Sequence, residues 1–182
     1  LFVGSPQANT EKFYVSGRVG AIVEALNPDG CIVTTEGFGN NHIDFASHIE
    51  QIGSLGIPVV GCSYCGVQGA LVVGNKYMDV MVDHCVTEHG NVEDILAKNT
   101  GTEETAIRAV ALVKNKIVGE KIKTLRENQS ISMEELAQRS GLAIEQIERI
   151  ERNIDLPSLA PLIKIARVLG VRLGTFLDDQ DE

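Results

Sequence analysis

The chain has 182 residues, 43% of them hydrophobic, with 16 Lys+Arg against 25 Asp+Glu and a formal net charge of −9. That length holds one ordinary domain and a small one, and no apolar run approaches the roughly 18–20 residues needed to cross a bilayer. Leu1-Phe2-Val3-Gly4 lacks the charged start and cleavage site of a signal peptide, so a cytoplasmic location is expected, and the absent initiator methionine points to a fragment or processed product.

In chain order, Val15, Val19, Ile22, Val23 and Leu26 recur at steps of three and four and predict an amphipathic helix over 11–26. Asn27-Pro28-Asp29-Gly30 ends it with turn chemistry. Cys31-Ile32-Val33-Thr34-Thr35 is short and β-branched, as for a strand buried in a parallel sheet. Ile43, Ala46, Ile49, Ile52 and Leu55 form the next helical stripe, with Gly56 placed to close it before a second strand at Ile57-Pro58-Val59-Val60-Gly61. Two more strands are expected around 70–73 and 79–83, and a helix from Glu103 with Ile107, Val110 and Ala111 on one side. The pattern predicts a Rossmann-like α/β domain over 1–116 with a mostly parallel sheet.

Between the first strand and second helix lies Glu36-Gly37-Phe38-Gly39-Asn40-Asn41-His42. Its glycines admit unusual backbone conformations, and the helix that follows points free N–H groups at any occupant of the loop. Ligands of open α/β sheets gather beyond the carboxyl ends of the strands, so the loops at 36–42 and 62–69 are expected to share one crevice. Glu36, Asn40 and His42 are the candidate catalytic groups, and Gly37, Gly39, Asn40, Asn41 and His42 the candidate substrate-binding set. His42 reads either as a substrate-orienting or proton-transferring group or as a helix-start histidine bonded to nearby backbone. Asp44 reads as a first-turn acid favoured by the helix dipole.

All four cysteines (Cys31, Cys62, Cys65, Cys85) and all four histidines precede residue 90. Reduced thiols are expected rather than a disulfide framework. Cys62-x-x-Cys65 has the spacing of a redox pair or of half a zinc site that Cys85 with His84 or His89 would complete. Packing cysteines beside strands are the commoner case, and no metal ligand is assigned.

Thr35-Glu36-Gly37-Phe38-Gly39-Asn40-Asn41-His42-Ile43-Asp44-Phe45, with Gly56–Gly61 and Asn75-Lys76-Tyr77-Met78-Asp79, resembles the C-terminal part of the D-proline reductase proproteins and their glycine, sarcosine and betaine reductase relatives. The resemblance covers about 11–116. It implies an amino-acid reductase of anaerobic fermentation, with pyruvoyl and selenocysteine groups in the parent complex and other reductase subunits as partners. The family's pyruvoyl group forms at a cysteine upstream of the matched region, so no cofactor is expected in this chain.

Residues 117–182 carry a different signature. Ile122 and Leu125 lie on a first helix, and Ser132-Met133-Glu134-Glu135 is a capping box opening a second. Ser140-Gly141-Leu142 makes a tight turn into a third helix with Ile147 and Ile150 as its stripe. Pro157-Ser158 starts a fourth with Leu159, Leu162, Ile165, Ala166 and Leu169, closed by Gly170, and 171–177 supply a fifth. Short helices with a glycine turn between the second and third describe a small all-α helix-turn-helix domain.

Met133–Ala137, Ser140-Gly141-Leu142, Ile147–Glu151, Pro157-Ser158 and Ile165–Val171 resemble the XRE-type, lambda-repressor-like family, and Leu173–Asp179 its cupin-linked subgroup. The resemblance implies DNA as partner, usually bound by a homodimer. Ile144, Glu145 and Arg149 would face base edges, and Arg139 and Arg152 phosphates. Met133 and Ala143 depart from the family, which usually has a glutamine and a serine or threonine there. Residues 117–182 hold 9 Lys+Arg against 12 Asp+Glu, so the nonspecific phosphate attraction is modest. A bundle kept for protein contacts is the alternative.

Residues 103–128 can run as one helix, with Gly119 as a hinge. The whole reads as a fusion of a reductase-like fragment with a DNA-binding domain. It is either a transcriptional regulator whose α/β domain is degenerate or ligand-sensing, or a piece of a reductase subunit with an inert helical tail.

Overall fold

The structure is a computed structural model that describes residues 1–35, 39–63, 71, 73–84, 86–87, 90–91, 102–155 and 157–177. The chain divides into two compact units, Leu1–Val113 and Lys114–Glu182. Among the described residues no helix is long and apolar enough to cross a membrane.

Unit 1 holds helix α1 (Asn9–Leu26), strand β1 (Cys31–Thr34), helix α2 (Asn40–Ser54), strands β2 (Val59–Ser63) and β3 (Met81–Asp83), and a small antiparallel pair, β4 (Val86–Thr87) and β5 (Gly90–Asn91). The sheet runs β1-β2-β3 with parallel pairs, Cys31 opposite Val59 and Gly61 opposite Met81. Leu71 and Val73 lie outside strands, so the strand expected at 70–73 is absent at its described positions; Ala70 and Val72 lie outside the described residues. Among the described residues β1 is an edge strand rather than a buried one, with Ile32 41% exposed.

The buried face of α1 keeps Val19 and Val23 from the predicted stripe but is turned away from its other edge. Lys12, Ser16, Val19, Gly20 and Val23 are enclosed, whereas Ile22 and Leu26 face out. The successive contacts Lys12–Asp44, Ser16–His48 and Gly20–Gln51 show that α1 and α2 run side by side in the same direction. On α2, Ala46, Ile49 and Ile52 are buried as predicted, but Leu55 is 38% exposed, and Phe45 takes the central position at 1%. α2 can approach β2 because Gly61 has no side chain: a Cβ there would lie 2.5 Å from Phe45 Cζ. Gly56, at φ 78°, follows the end of α2 as expected.

Helix α3 (Glu103–Asn128) is continuous, as the sequence predicts. In its first half the buried positions are not the predicted ones, since Ile107 and Val110 are exposed while Ala109 and Val113 are buried, whereas Ile122 and Leu125 further on pack in a core. Within unit 2, the last turns of α3 pack with α4 (Met133–Ser140), α5 (Ile144–Glu151), α6 (Leu159–Leu169) and α7 (Gly174–Leu177). Ile122, Leu136, Ile147, Ile150, Ile165 and Phe176 form the core, each at most 1% exposed. Leu159, predicted as core, is 58% exposed at the start of α6. The Ser132 hydroxyl accepts from the Glu135 N–H at 3.1 Å, but the Glu135 carboxylate turns to Arg139 instead of closing a capping box. Buried Arg126 donates twice to Glu151, at 2.6 and 2.7 Å, and also to the Ile131 carbonyl, tying α3 to the end of α5.

Gly119 is not a hinge. It sits inside continuous α3, where a Cβ would lie 2.2 Å from Asn153 Oδ1 and 2.5 Å from the Ile150 carbonyl oxygen. Alanine gains about 1 kcal/mol of helix propensity over glycine, but the backbone carbonyl cannot yield easily, and overpacking costs about 1–3 kcal/mol. Gly119→Ala is therefore expected to lower stability in urea unfolding followed by far-UV circular dichroism, and a stabilised variant would restore the hinge.

Candidate functional site

The polar groups of unit 1 converge at the carboxyl ends of the three parallel strands and along the α1–α2 seam. β1 leads through the loop to Gly39, at φ 66°, and α2 then begins with Asn40, Asn41 and His42. Glu36, Gly37 and Phe38 lie outside the described residues. Asn40 is exposed; Asn41 is half-buried and accepts from the Ser5 hydroxyl at 3.3 Å. His42 is 1% exposed, its Nε2 3.2 Å from Ser63 Oγ at the end of β2. Ser63 pairs in register with Asp83 on β3, and its carbonyl accepts from the His84 N–H at 3.0 Å.

A hydroxyl beside an imidazole can exchange a proton or fix the ring's tautomer. Ser63 is fully buried, which favours the second role: it orients His42 rather than meeting a substrate. The structure thus brings together His42, Ser63 and the end of β3, sets Asn41 against Ser5, and leaves Asn40 exposed.

Asp44 is not a first-turn acid. It lies in the second turn of α2, 5% exposed, paired with fully buried Lys12 and accepting from Ser5 as well. Lys12 also donates to Ser5 at 3.1 Å. One turn on, Ser16 Oγ lies 2.8 Å from His48 Nδ1. The signal in the sequence is the matched spacing, Lys12/Ser16 on one helix and Asp44/His48 on the other, each pair four apart. Burial holds the His48 imidazole below its ordinary range, with Asp44 pulling it up and Lys12 pulling it down. Burial likewise lowers His84, opposed by Asp83.

Cys62 is buried in β2, and burial pushes its thiol up to about 11; Cys31 is raised for the same reason. Thiols so shifted are neutral and poor nucleophiles. Both sit in regular, paired strands, so neither fits as the source of a pyruvoyl group, which forms by backbone cleavage. Cys65, Cys85 and His89 lie outside the described residues. Among the described residues no cluster of His, Cys, Asp or Glu is placed to hold a metal.

In unit 2, α4 ends at Ser140 and is capped by Gly141, at φ 63°, and α5 starts three residues after that cap. Ile147 and Ile150 anchor α5 in the core, which turns Glu145, Glu148, Arg149 and Arg152 outward; Ile144 is half-buried against the same core. Arg149 holds Asp155 at 2.6 and 2.7 Å, and Arg152 holds Glu148 at 3.1 Å. These pairs are exposed, and such pairs are worth at most about 1 kcal/mol, so a polyanion can displace the carboxylates. Arg139, Lys164 and Arg167 line an open cleft of about 460 Å³ with Ser140 and Val168. Lys164 and Arg167 were hidden in the sequence by the acidic balance of the domain. Four of its twelve acids fall in 178–182, leaving 9 Lys+Arg against 8 Asp+Glu over 117–177.

Residues 4–144 match the family of glycine/sarcosine/betaine reductase component B subunits, and residues 122–176 match the helix-turn-helix family; the two matches share 122–144. The chain is 62% identical over 123 residues to the D-proline reductase proprotein PrdA of Acetoanaerobium sticklandii, covering 68% of this chain and 20% of that protein. It is 37% identical over 67 residues to the HTH-type transcriptional regulator SinR of Bacillus subtilis, covering 36% of this chain and 60% of SinR. The solved N-terminal DNA-binding domain of that SinR matches at 37% identity over 37% of this chain and 99% of its own, with a TM-score of 0.35. The chain thus spans a fifth of one curated relative and under two-thirds of the other.

Two measurements check the seam. Lys12→Met leaves the Asp44 carboxylate buried without its counter-charge, which costs about 3–5 kcal/mol; adding Asp44→Leu should recover most of it in urea unfolding, and no recovery would break the assignment. For His48 the folded value is depressed below its ordinary 6.5. Its contribution is therefore fully present above pH 6.5 and lost as pH falls through the depressed value. Unit 1 should lose stability from pH 7 to 5, with His48→Gln flattening part of the slope and His84 supplying a remainder of the same sign.

Proposed function

The chain belongs to the family of glycine/sarcosine/betaine reductase component B subunits, and because a helix-turn-helix domain occupies its second unit, we propose that it is a DNA-binding transcriptional regulator. The observation that carries this reading is the α4–Gly141–α5 turn, with α5 anchored by Ile147 and Ile150 and presenting Glu145, Arg149 and Arg152 outward. In this reading α5 enters the major groove and Arg149 exchanges Asp155 for a base edge. Arg139, Lys164 and Arg167 take phosphates, and two copies read paired half-sites as a homodimer.

Unit 1, on the same reading, is a Rossmann-like sensor and not a catalyst. Asn40 and Asn41 bind a small amino acid or related metabolite, buried His42 positions that end of α2 through its contact with Ser63, and Cys31 and Cys62 are neutral packing thiols. Calorimetry with D-proline and with glycine tests this directly: one of them is expected to bind, and His42→Ala to weaken it at least tenfold. A second reading, a reductase-subunit piece with a helical tail, is favoured by the 62% identity to a D-proline reductase proprotein and by a family match that runs on to residue 144.

In vitro selection from a randomised duplex library, followed by fluorescence anisotropy at two salt concentrations, separates the readings. The regulator should enrich one motif. Arg149→Ala should lose about 1–3 kcal/mol against that motif, whereas Lys164→Ala and Arg167→Ala should weaken all duplexes alike and each flatten the salt slope by about one. No enriched motif would leave the reductase reading standing.

A further inference from the structure

Among the described residues the sheet of unit 1 has an open edge at β1, whose hydrogen-bonding groups define what can pair with it. The Cys31 N–H donates to the Pro58 carbonyl at 2.8 Å and the Thr35 N–H to the Cys62 carbonyl at 3.0 Å. In a parallel ladder alternate residues face alternate neighbours, so Cys31, Val33 and Thr35 address β2, and the N–H and C=O groups of Ile32 and Thr34 point to the other side of β1. Among the described residues no strand lies there.

The helices fix the direction from which a strand would come. α2 is the crossover from β1 to β2. α1 lies beside it, parallel to it, and shares one core with it, where Val19 and Val23 meet Phe45, Ile49, Cys31 and Val33. Both helices therefore cover the same face of the sheet. Crossovers between parallel strands are right-handed in about 98% of cases. If α1 is the second half of such a crossover, the strand that feeds it lies beside β1 on the side away from β2, at the open edge. A second observation agrees: Ile32 is 41% exposed, and on α1, Phe13, Tyr14, Ile22 and Leu26 are 44–69% exposed. A sheet of this class normally has its apolar surface covered.

We propose that the open edge of β1 takes up a parallel β-strand of component B polypeptide from outside the region matched here. The relative has four-fifths of its length outside the match, and the strand binds through the Ile32 and Thr34 main-chain groups with an alternating apolar side chain against Ile32. This rests on family membership and not on the DNA reading, so either can fail alone.

The test uses the 182-residue chain, isotopically labelled, and overlapping 20-residue synthetic peptides covering the rest of the Acetoanaerobium sticklandii proprotein. One peptide stretch should bind and slow amide exchange at Ile32 and Thr34 at least tenfold. Ile32→Pro removes only an outward N–H, which an edge strand tolerates, and should cut binding at least tenfold with an unchanged far-UV spectrum. The proposal is overturned if no peptide binds, if binding leaves exchange at Ile32 and Thr34 unaltered, or if those amides are already protected in the chain alone. Protection that depends on chain concentration would assign the edge to a second copy and overturn it equally.

Discussion

The ion pair between Lys12 and Asp44, closed inside unit 1, is the contact on which the arrangement of its polar groups depends. Two charges out of water are tolerated only with each other and with further hydrogen bonds, and the Ser5 hydroxyl supplies one to the carboxylate. The Ser16–His48 contact repeats the pairing one turn further on. Together the two rungs allow α1 and α2 one register, because a slip by a turn would bury a lysine against an imidazole and leave the aspartate unanswered. With α2 so fixed, Phe45 and Ile49 fill the space left by Gly61, and His42 arrives at Ser63.

Unit 2 solves the same problem with a different pair. Arg126 and Glu151 form a two-pronged contact between the end of α3 and the end of α5, and Asn153, in a left-handed conformation at φ 61°, folds its side chain against Gly119. Both contacts fix α5 at its C-terminal end, while Ile147 and Ile150 hold its inner face. What remains outward is a short helix whose cations are lent to neighbouring carboxylates. On the proposed reading, such a surface gives a net acidic chain weak nonspecific attraction to DNA and arginines that are released where a better partner is offered.

Strong local signals in the sequence survived the fold. The breaks at Asn27–Gly30, Gly56, Gly141 and Gly170, and the helices of unit 2, follow from turn chemistry and apolar periodicity. The strands expected at 31–35 and 57–61 form at 31–34 and 59–63, the second running on into the expected 62–69 loop. The misses share one cause. Apolar spacing on α1 pointed to Ile22 and Leu26, because a stripe containing Lys12 and Ser16 scores as polar until their partners on α2 are known. Ile107 and Val110 misled in the same way on α3. Gly119 read as a hinge because the chain alone does not reveal that Ile150 and Asn153 press on it. Of the candidate site, His42 and Asn41 were legible from the loop, but Ser63 carries no local signal and is found only by pairing β1 with β2.

On the proposed reading α5 reads bases. Amide chemical-shift mapping of the labelled chain on a selected duplex, against a scrambled duplex of equal length, bears on it most directly. It predicts large shifts over 143–152 with the selected duplex alone, and smaller ones at Arg139, Lys164 and Arg167 with both. Shifts over 143–152 that are the same for both duplexes, or absent from them, would contradict it.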